Sequence, residues 1–545
     1  MRARLLIRVI RVAAVSGGVT AVNSLLWRQD FSVSILHVEN VQPHGKTLHH
    51  GMKTCTHGFK TGNRLAVGTL PLYPVGMIRS PSSPRANATT PEPAHPAALR
   101  RCLGPLAVTA QGIAAIGLSG TAVINIPQII ASAGNSTWLC YLAAFLVVLL
   151  VTETLILFRQ LPATAEGIAC YVRDGLGDRL GNLAGWTLLL GYAGSSICCL
   201  AVFGQYLDLF CGRLGFGVPT LVGVLAGGLF CLALARRGAG LSAMTMLASE
   251  SISVLVIIAL CALILLRAQH SVAAIDFFQT ADSFSTLQNG MVLAVLSFVG
   301  FESTATLGQE ALDPLQTVPR ALRTSVWISG CLFLFWAFVL NLGLAWLPAS
   351  QRGENTALVL LADQMGRPGA GALIGLGGFL CFFGATLANL TACGRVVYSL
   401  AGRGLLPAYL AGIHPRLHTP VAALAACSGI VISICCGLLL RGLHASQIFD
   451  SAGSFGVLGF LCCYLLVAMA AWRISWRQGW WQTLLPGCTA AVLLAITASF
   501  LLTSGSSLAG VIGLFIGLLG AGAVLTLGPI SPLWLRCPGP PPPGP

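Results

Sequence analysis

The sequence predicts an all-α polytopic membrane protein with about twelve transmembrane helices. Two observations carry that prediction. First, of 545 residues, 55% are hydrophobic and 9% are charged, whereas soluble domains carry about 25% charged residues. Second, the apolar residues fall in repeated runs of roughly 20, the length that crosses hydrocarbon as a helix. A transmembrane barrel would instead show short alternating segments, and none appear. The net charge of +14 would point to nucleic acid in a soluble chain. Here it fits the gathering of basic residues in cytoplasmic loops, so no nucleic-acid partner is expected.

The chain opens with a segment unlike the rest. The three lysines, Lys46, Lys53 and Lys60, and six of the ten histidines lie in the first hundred residues. Residues 1–76 therefore read as compositionally foreign, with Met77 the expected true start. The alternatives are a genuine, poorly ordered extension or an N-terminal signal, to which "MRARLLIRVIRVAAVSGGV" bears a weak likeness. From Met77, "MIRSPSSPRANATTPEPAHPAALRR" has the composition of a disordered tail, so residues 1–99 as a whole are expected to lie outside the folded bundle.

The spans follow in order at about 106–131, 137–158, 182–210, 217–235, 243–266, 287–308, 324–347, 369–398, 421–440, 448–472, 483–503 and 508–528. The first ten form an expected core over residues 100–480. The last two are additional helices within 481–530, and 531–545 is a Pro-rich disordered tail. With the N-terminus inside, the inner connections hold twelve arginines and the outer ones five. Both termini are therefore expected to be cytoplasmic.

Two spans are poorly suited to continuous helix. "AAIGLSGTAVINIPQIIASAG" carries Gly117, Gly120 and Pro127, with β-branched Thr121, Val123 and Ile124 between them. "SFVGFESTATLGQEALDP" carries Gly300 between Val299 and Phe301, followed by Ser303 and Thr304. Gly and Pro both weaken a helix interior. Interrupted spans in corresponding positions of two halves mark a transporter's binding site. Spans one and six correspond if spans one to five repeat as six to ten. An unwound helix bares amides for a carboxylate and carbonyls for an ammonium group. The bland reading is that these residues permit kinking and close packing alone.

Several stretches resemble one family. "GTAVINIP", "GFESTATLGQEALDPLQTVPRAL", "GRVVYSLAGRGLLPAYLAGIHPRLHTP" and "LPATAEGIACYVRDGLGDRLGNLAGW" resemble, in the family's order, segments of the amino acid–polyamine–organocation permeases. The likeness is spread over about residues 105–480. It implies a leucine-transporter-like fold of inverted five-helix repeats with discontinuous spans one and six. It also implies secondary active transport of amino acids or polyamines across a plasma membrane (the inner membrane in a bacterium). Carried over by position, Gly120, Thr121 and Ala122, beside the break residue Gly117, are expected to hold the substrate carboxylate. Phe298, Val299 and Gly300 line the site and accept its amino group, and Phe301 or Phe298 supplies an aromatic gate. The chain departs from the family pattern at Ala122, where a second glycine is usual, and at Glu166-Gly167, where Gly-Gly is usual. Some members carry a span-five lysine in place of sodium, and residue 250 here is Glu.

No lysine follows residue 60, and arginine does not deprotonate in proteins. Proton coupling must then run through a carboxyl group or one of the few histidines. Glu302, just past the break in span six, is the first candidate and Glu250 the second. Their structural alternatives are a hydrogen bond to backbone freed by the break and a helix-end position near Arg236 and Arg237. Glu310 is expected to pair with Arg320 or Arg323, and Asp208 and Asp450 to lie at outer helix ends. No HExxH, GxSxG or Walker-type motif appears, so neither an enzyme nor an ATP-driven pump is expected. No cofactor is expected, and the 19 scattered cysteines lack metal-site spacing. Exchange in place of proton symport, and a sensor without flux, remain alternatives.

Overall fold

The structure, a computed structural model, describes residues 99–161, 164–268, 284–366, 368–477, 479–503 and 508–527. The expectations for residues 1–98 and for the Pro-rich tail lie outside the described residues. Among those described, eleven apolar helical segments are long enough to cross a membrane. The first, Pro105–Ile156, is 52 residues long and holds both expected spans one and two. It is interrupted at a 3-10 turn, Gly134–Ser136, where Gly134 has φ 54°.

The elements are α1 (Pro105–Ile116), α2 (Ile126–Ala133), α3 (Thr137–Ile156), α4 (Ala169–Leu176), α5 (Asp178–Arg213), α6 (Thr220–Arg237), α7 (Ala239–Ala268), α8 (Phe284–Leu296), α9 (Pro314–Leu344), α10 (Ala357–Gln364), α11 (Pro368–Gly402), α12 (Val421–Leu440), α13 (Ala445–Trp476), α14 (Leu484–Thr503) and α15 (Ala509–Leu527). Span one is α1 plus α2, and span six is α8 with the 3-10 segment Phe301–Leu307.

The bundle is built on α5, which packs along α11 and α13. Small residues allow this. A methyl group at Gly194 would sit 2.7 Å from Ala452 O and Gly456 N, and one at Gly459 would sit 2.6 Å from Thr187 O. The backbones of α5 and α13 therefore touch. Close backbone approach is how helices gain packing in lipid, where no hydrophobic force drives them together. The last two helices are peripheral: α14 packs on α13 and α3, and α15 on α5 and α13. Trp186 Nε1 donates to Leu518 O at 2.9 Å to hold α15.

One end of the bundle is fastened by charge. The start of α1 meets the end of span six, with Cys102 N and Leu103 N donating to Glu310 O at 2.9 and 3.0 Å. The Glu310 side chain accepts from Arg395 Nε of α11 at 2.6 Å, with both side chains buried. Arg323 instead forms a two-point pair with Glu153 of α3 at 2.7 and 2.5 Å, and Arg320 bonds Gln316. The expected Glu310 pairing is thus corrected. Arg395, about two turns from the C-terminal end of α11, is buried against Glu310, while the arginines of α9 are held by Gln316 and Glu153. At the same end, Glu166 is fully buried and takes bonds from Arg173 and from Arg403, the latter at 2.6 Å.

Candidate functional site

Both expected interruptions are present. In span one, α1 stops at Gly117, in the left-handed region at φ 66°, ψ 66°. A single turn, Leu118–Gly120, and a widened π-type turn, Thr121–Asn125, lead into α2. In span six, α8 stops at Leu296 and the chain resumes after Gly300, at φ 114°, as 3-10 helix. The two breaks touch: a methyl group at Gly300 would lie 2.7 Å from Ala115 C and O. Asn125 Nδ2 donates to Ser297 Oγ at 3.0 Å and ties the breaks again from the other side.

Each break is served by one buried carboxyl group. Glu250 lies mid-helix in α7 and is 2% exposed, not at a helix end. Its Oε1 accepts from Ser119 N at 3.0 Å and from Ser119 Oγ at 3.4 Å. It thereby satisfies a donor that the new half-helix leaves free. The next amide, Gly120 N, donates to Cys381 Sγ at 3.0 Å, and that thiol points on to Glu250 at 3.7 Å. Glu302 is fully buried and serves its own break, its Oε2 accepting from Gly300 N at 3.0 Å and from Tyr464 Oη of α13. Tyr192 Oη and Glu302 Oε1 make no hydrogen bond of standard geometry but interact electrostatically. Glu250 Oε2 likewise has no hydrogen-bond partner among the described residues.

A cavity of about 150 Å³ opens between the breaks, against a water molecule's share of about 30 Å³. It has room for a small organic solute. Spans one, three, six, eight and ten all contribute to its wall. Of the eight residues singled out in the sequence, Gly117, Gly120, Thr121 and Val299 line it. Ala122 is buried behind it. Gly300 is spent on the contact with Ala115. Phe298 turns away from the cavity to pack on Phe145 and Phe333, with ring centroids 6.3 and 4.9 Å away. Phe301 faces Tyr464 at 5.9 Å. The aromatic pair that does line the cavity is Phe382 of α11 and Phe449 of α13, edge to face at 6.2 Å.

Several lining groups were not singled out. Asn125, Gln128 and Ser297 are polar residues inside apolar spans, and that alone is a readable signal. Ser195 and Asn389 carry the same signal. Phe382 carries none, being one apolar residue in an apolar helix. No group of three or more His, Cys, Asp or Glu able to hold a metal ion occurs among the described residues.

Two interrupted helices facing one solute-sized cavity in a polytopic bundle define a carrier-type membrane protein. The chain belongs to the amino acid permease family, whose model matches residues 103–531. It is similar to human "Cationic amino acid transporter 4", at 28% identity over 388 residues, which cover 68% of this chain and 59% of that protein. It is similar to an uncharacterized amino acid permease of Bacillus subtilis, at 24% identity over 70% of this chain and 88% of the other. It is also similar to the L-asparagine permease of Escherichia coli, at 24% identity over 62% of this chain and 67% of that one. The match spans less than two thirds of the human relative's length.

Proposed function

We propose that the protein is a secondary transporter that carries amino acids across a plasma membrane by alternating access, with proton coupling and both termini cytoplasmic. The observation that supports this best is the convergence of both interruptions on one cavity, lined from Ala115 to Thr121 on one side and from Leu293 to Val299 on the other. An inverted repeat of spans one to five and six to ten accounts for why the two breaks meet at one depth. The zwitterionic part of the substrate lies against Gly117, Gly120 and Thr121, with Val299 opposite. The excess of arginine at the Glu310–Arg395 end supports a cytoplasmic placement of that end.

Glu250 is the proposed proton carrier. Its hydrogen bonds go to Ser119 and Cys381, which frame the half-helix start at the cavity wall. A change in its charge therefore acts directly on the substrate-facing turn. Glu302 faces Tyr464, away from the cavity, and fits a role in holding the break together.

Uptake of labelled amino acids into proteoliposomes, with and without an inward proton gradient, tests this reading. Gradient-driven uptake is expected, reduced at least about tenfold in Glu250→Gln, equivalent to roughly 1.4 kcal/mol. Glu302→Gln is expected to lower the amount of folded protein more than the gradient dependence of what remains. Gradient-driven uptake unchanged in Glu250→Gln overturns the carrier assignment. Uptake only into preloaded liposomes means exchange instead of symport. Binding without flux in either mode means a sensor.

A further inference from the structure

Among the described lining residues, Asp450 is the one that carries a charge. It is the sixth residue of α13 and is solvent-exposed. It stands at the end of the bundle opposite Glu310–Arg395, because α13 runs from Asp450 toward Ala470, which packs against Gly175 of α4. Asp450 and Val457 both line the cavity. Seven residues of helix separate them, about 10 Å along the axis. The cavity thus reaches from the breaks to this carboxylate, and Phe382, Phe449, Leu296 and Val457 supply apolar wall between.

Asp450 forms no ion pair among the described residues. Three of the described arginines at its end of the bundle have other partners, and Arg441, exposed in the connection from α12 to α13, forms no ion pair with it. Arg213 holds Asp363 at 2.7 and 2.5 Å. Arg352 donates to Leu347 O and Ala345 O, and Arg267 lies over Trp346. Gln128, which also reaches toward Asn355 at 3.5 Å, is the neutral group beside the carboxyl. The mouth therefore presents an anionic charge that no described cation of the protein is paired with.

We propose that Asp450 is a specificity-determining residue that selects amino acids with a cationic side chain of lysine or arginine length. The substrate's main-chain groups lie at the breaks and its methylene stem runs along the apolar wall. Its cationic head reaches the carboxylate at the mouth. A long basic side chain matches such a surface because its stem is apolar and only its tip is charged. The proposal rests on the amino acid transport reading above.

The test compares L-arginine with L-citrulline, which is nearly isosteric and neutral, by equilibrium binding to the purified full-length chain. The wild-type protein is expected to bind arginine at least about tenfold more tightly than citrulline, and Asp450→Asn and Asp450→Ser to bring the ratio near one with citrulline binding unchanged. Asp450→Glu is expected to keep the preference. As a check free of any variant, arginine is expected to protect Cys198 and Cys199, which line the cavity, from alkylation at lower concentration than citrulline. Equal binding of both ligands by the wild type, or an unchanged ratio in both neutral variants, overturns the role of Asp450 and leaves the transport reading standing. Failure of the wild type to bind either ligand, or any other amino acid tried, overturns both.

Discussion

Gly300 shows how one residue sets the site. Its φ of 114° is open to glycine and strained for other residues, and a methyl group there would lie 2.7 Å from the backbone of Ala115. Gly300→Ala therefore meets two penalties, the left-handed strain of about 1–2 kcal/mol and an overpacking term of about 1–3 kcal/mol. The expected result is a large loss of thermal stability in detergent, with binding lost in what remains folded. Gly212→Ala, where the site is open space, is expected to change neither. The glycine was readable as a helix breaker, but its partner was not, since nothing in the local string around Ala115 names residue 300. The same holds for Phe298 and Phe301. Their aromatic character was legible, yet the direction each faces is set by Phe145, Phe333 and Tyr464, residues distant in sequence.

At the scale of elements, hydropathy located the spans because each must bury about 20 apolar residues in lipid. It misplaced starts where a helix continues beyond the bilayer. The seventh span was expected from residue 324, but α9 begins at Pro314. Proline is tolerated at the first helical position, and Asp313 caps the turn by accepting from Gln316 N at 3.4 Å. On that extension Arg320 bonds Gln316 and Arg323 pairs with Glu153, and Glu310 pairs with Arg395 instead. The Glu310–Arg395 pair joins span six to α11 and is buried on both sides. Removing one partner of such a pair costs about 3–5 kcal/mol because the other charge stays buried, whereas replacing both with apolar residues is often neutral. Glu310→Leu and Arg395→Leu are each expected to reduce folded yield and thermal stability strongly. The double variant is expected to recover most of the loss, as read by thermal denaturation in detergent.

For the whole molecule, the two ends of the bundle differ. One is closed by Glu310–Arg395, by Glu166 with Arg173 and Arg403, and by Glu153–Arg323. At the other, the cavity reaches the exposed Asp450. Composition showed which end gathers arginine, but not that these arginines form a closure, because Glu310–Arg395, Glu153–Arg323 and Glu166–Arg403 each join residues far apart in sequence. If transport alternates access and the arginine-rich end faces the cytoplasm, as proposed above, this arrangement is the outward-open member of the cycle. Cys198 and Cys199 in the cavity wall report on it directly. A small membrane-impermeant thiol reagent applied to the outer face of sealed vesicles is expected to label them several-fold faster than the same reagent applied inside. The signal is expected to vanish in a Cys198→Ser, Cys199→Ser variant, which separates it from the exposed Cys102, Cys331 and Cys488. Arg403→Ala leaves Glu166 with Arg173 as its remaining arginine, loosens the closed end and is expected to raise labelling from the inside. Faster labelling from the inside in the unaltered protein would invert the orientation, and equal labelling from both faces would mean that neither end is held shut.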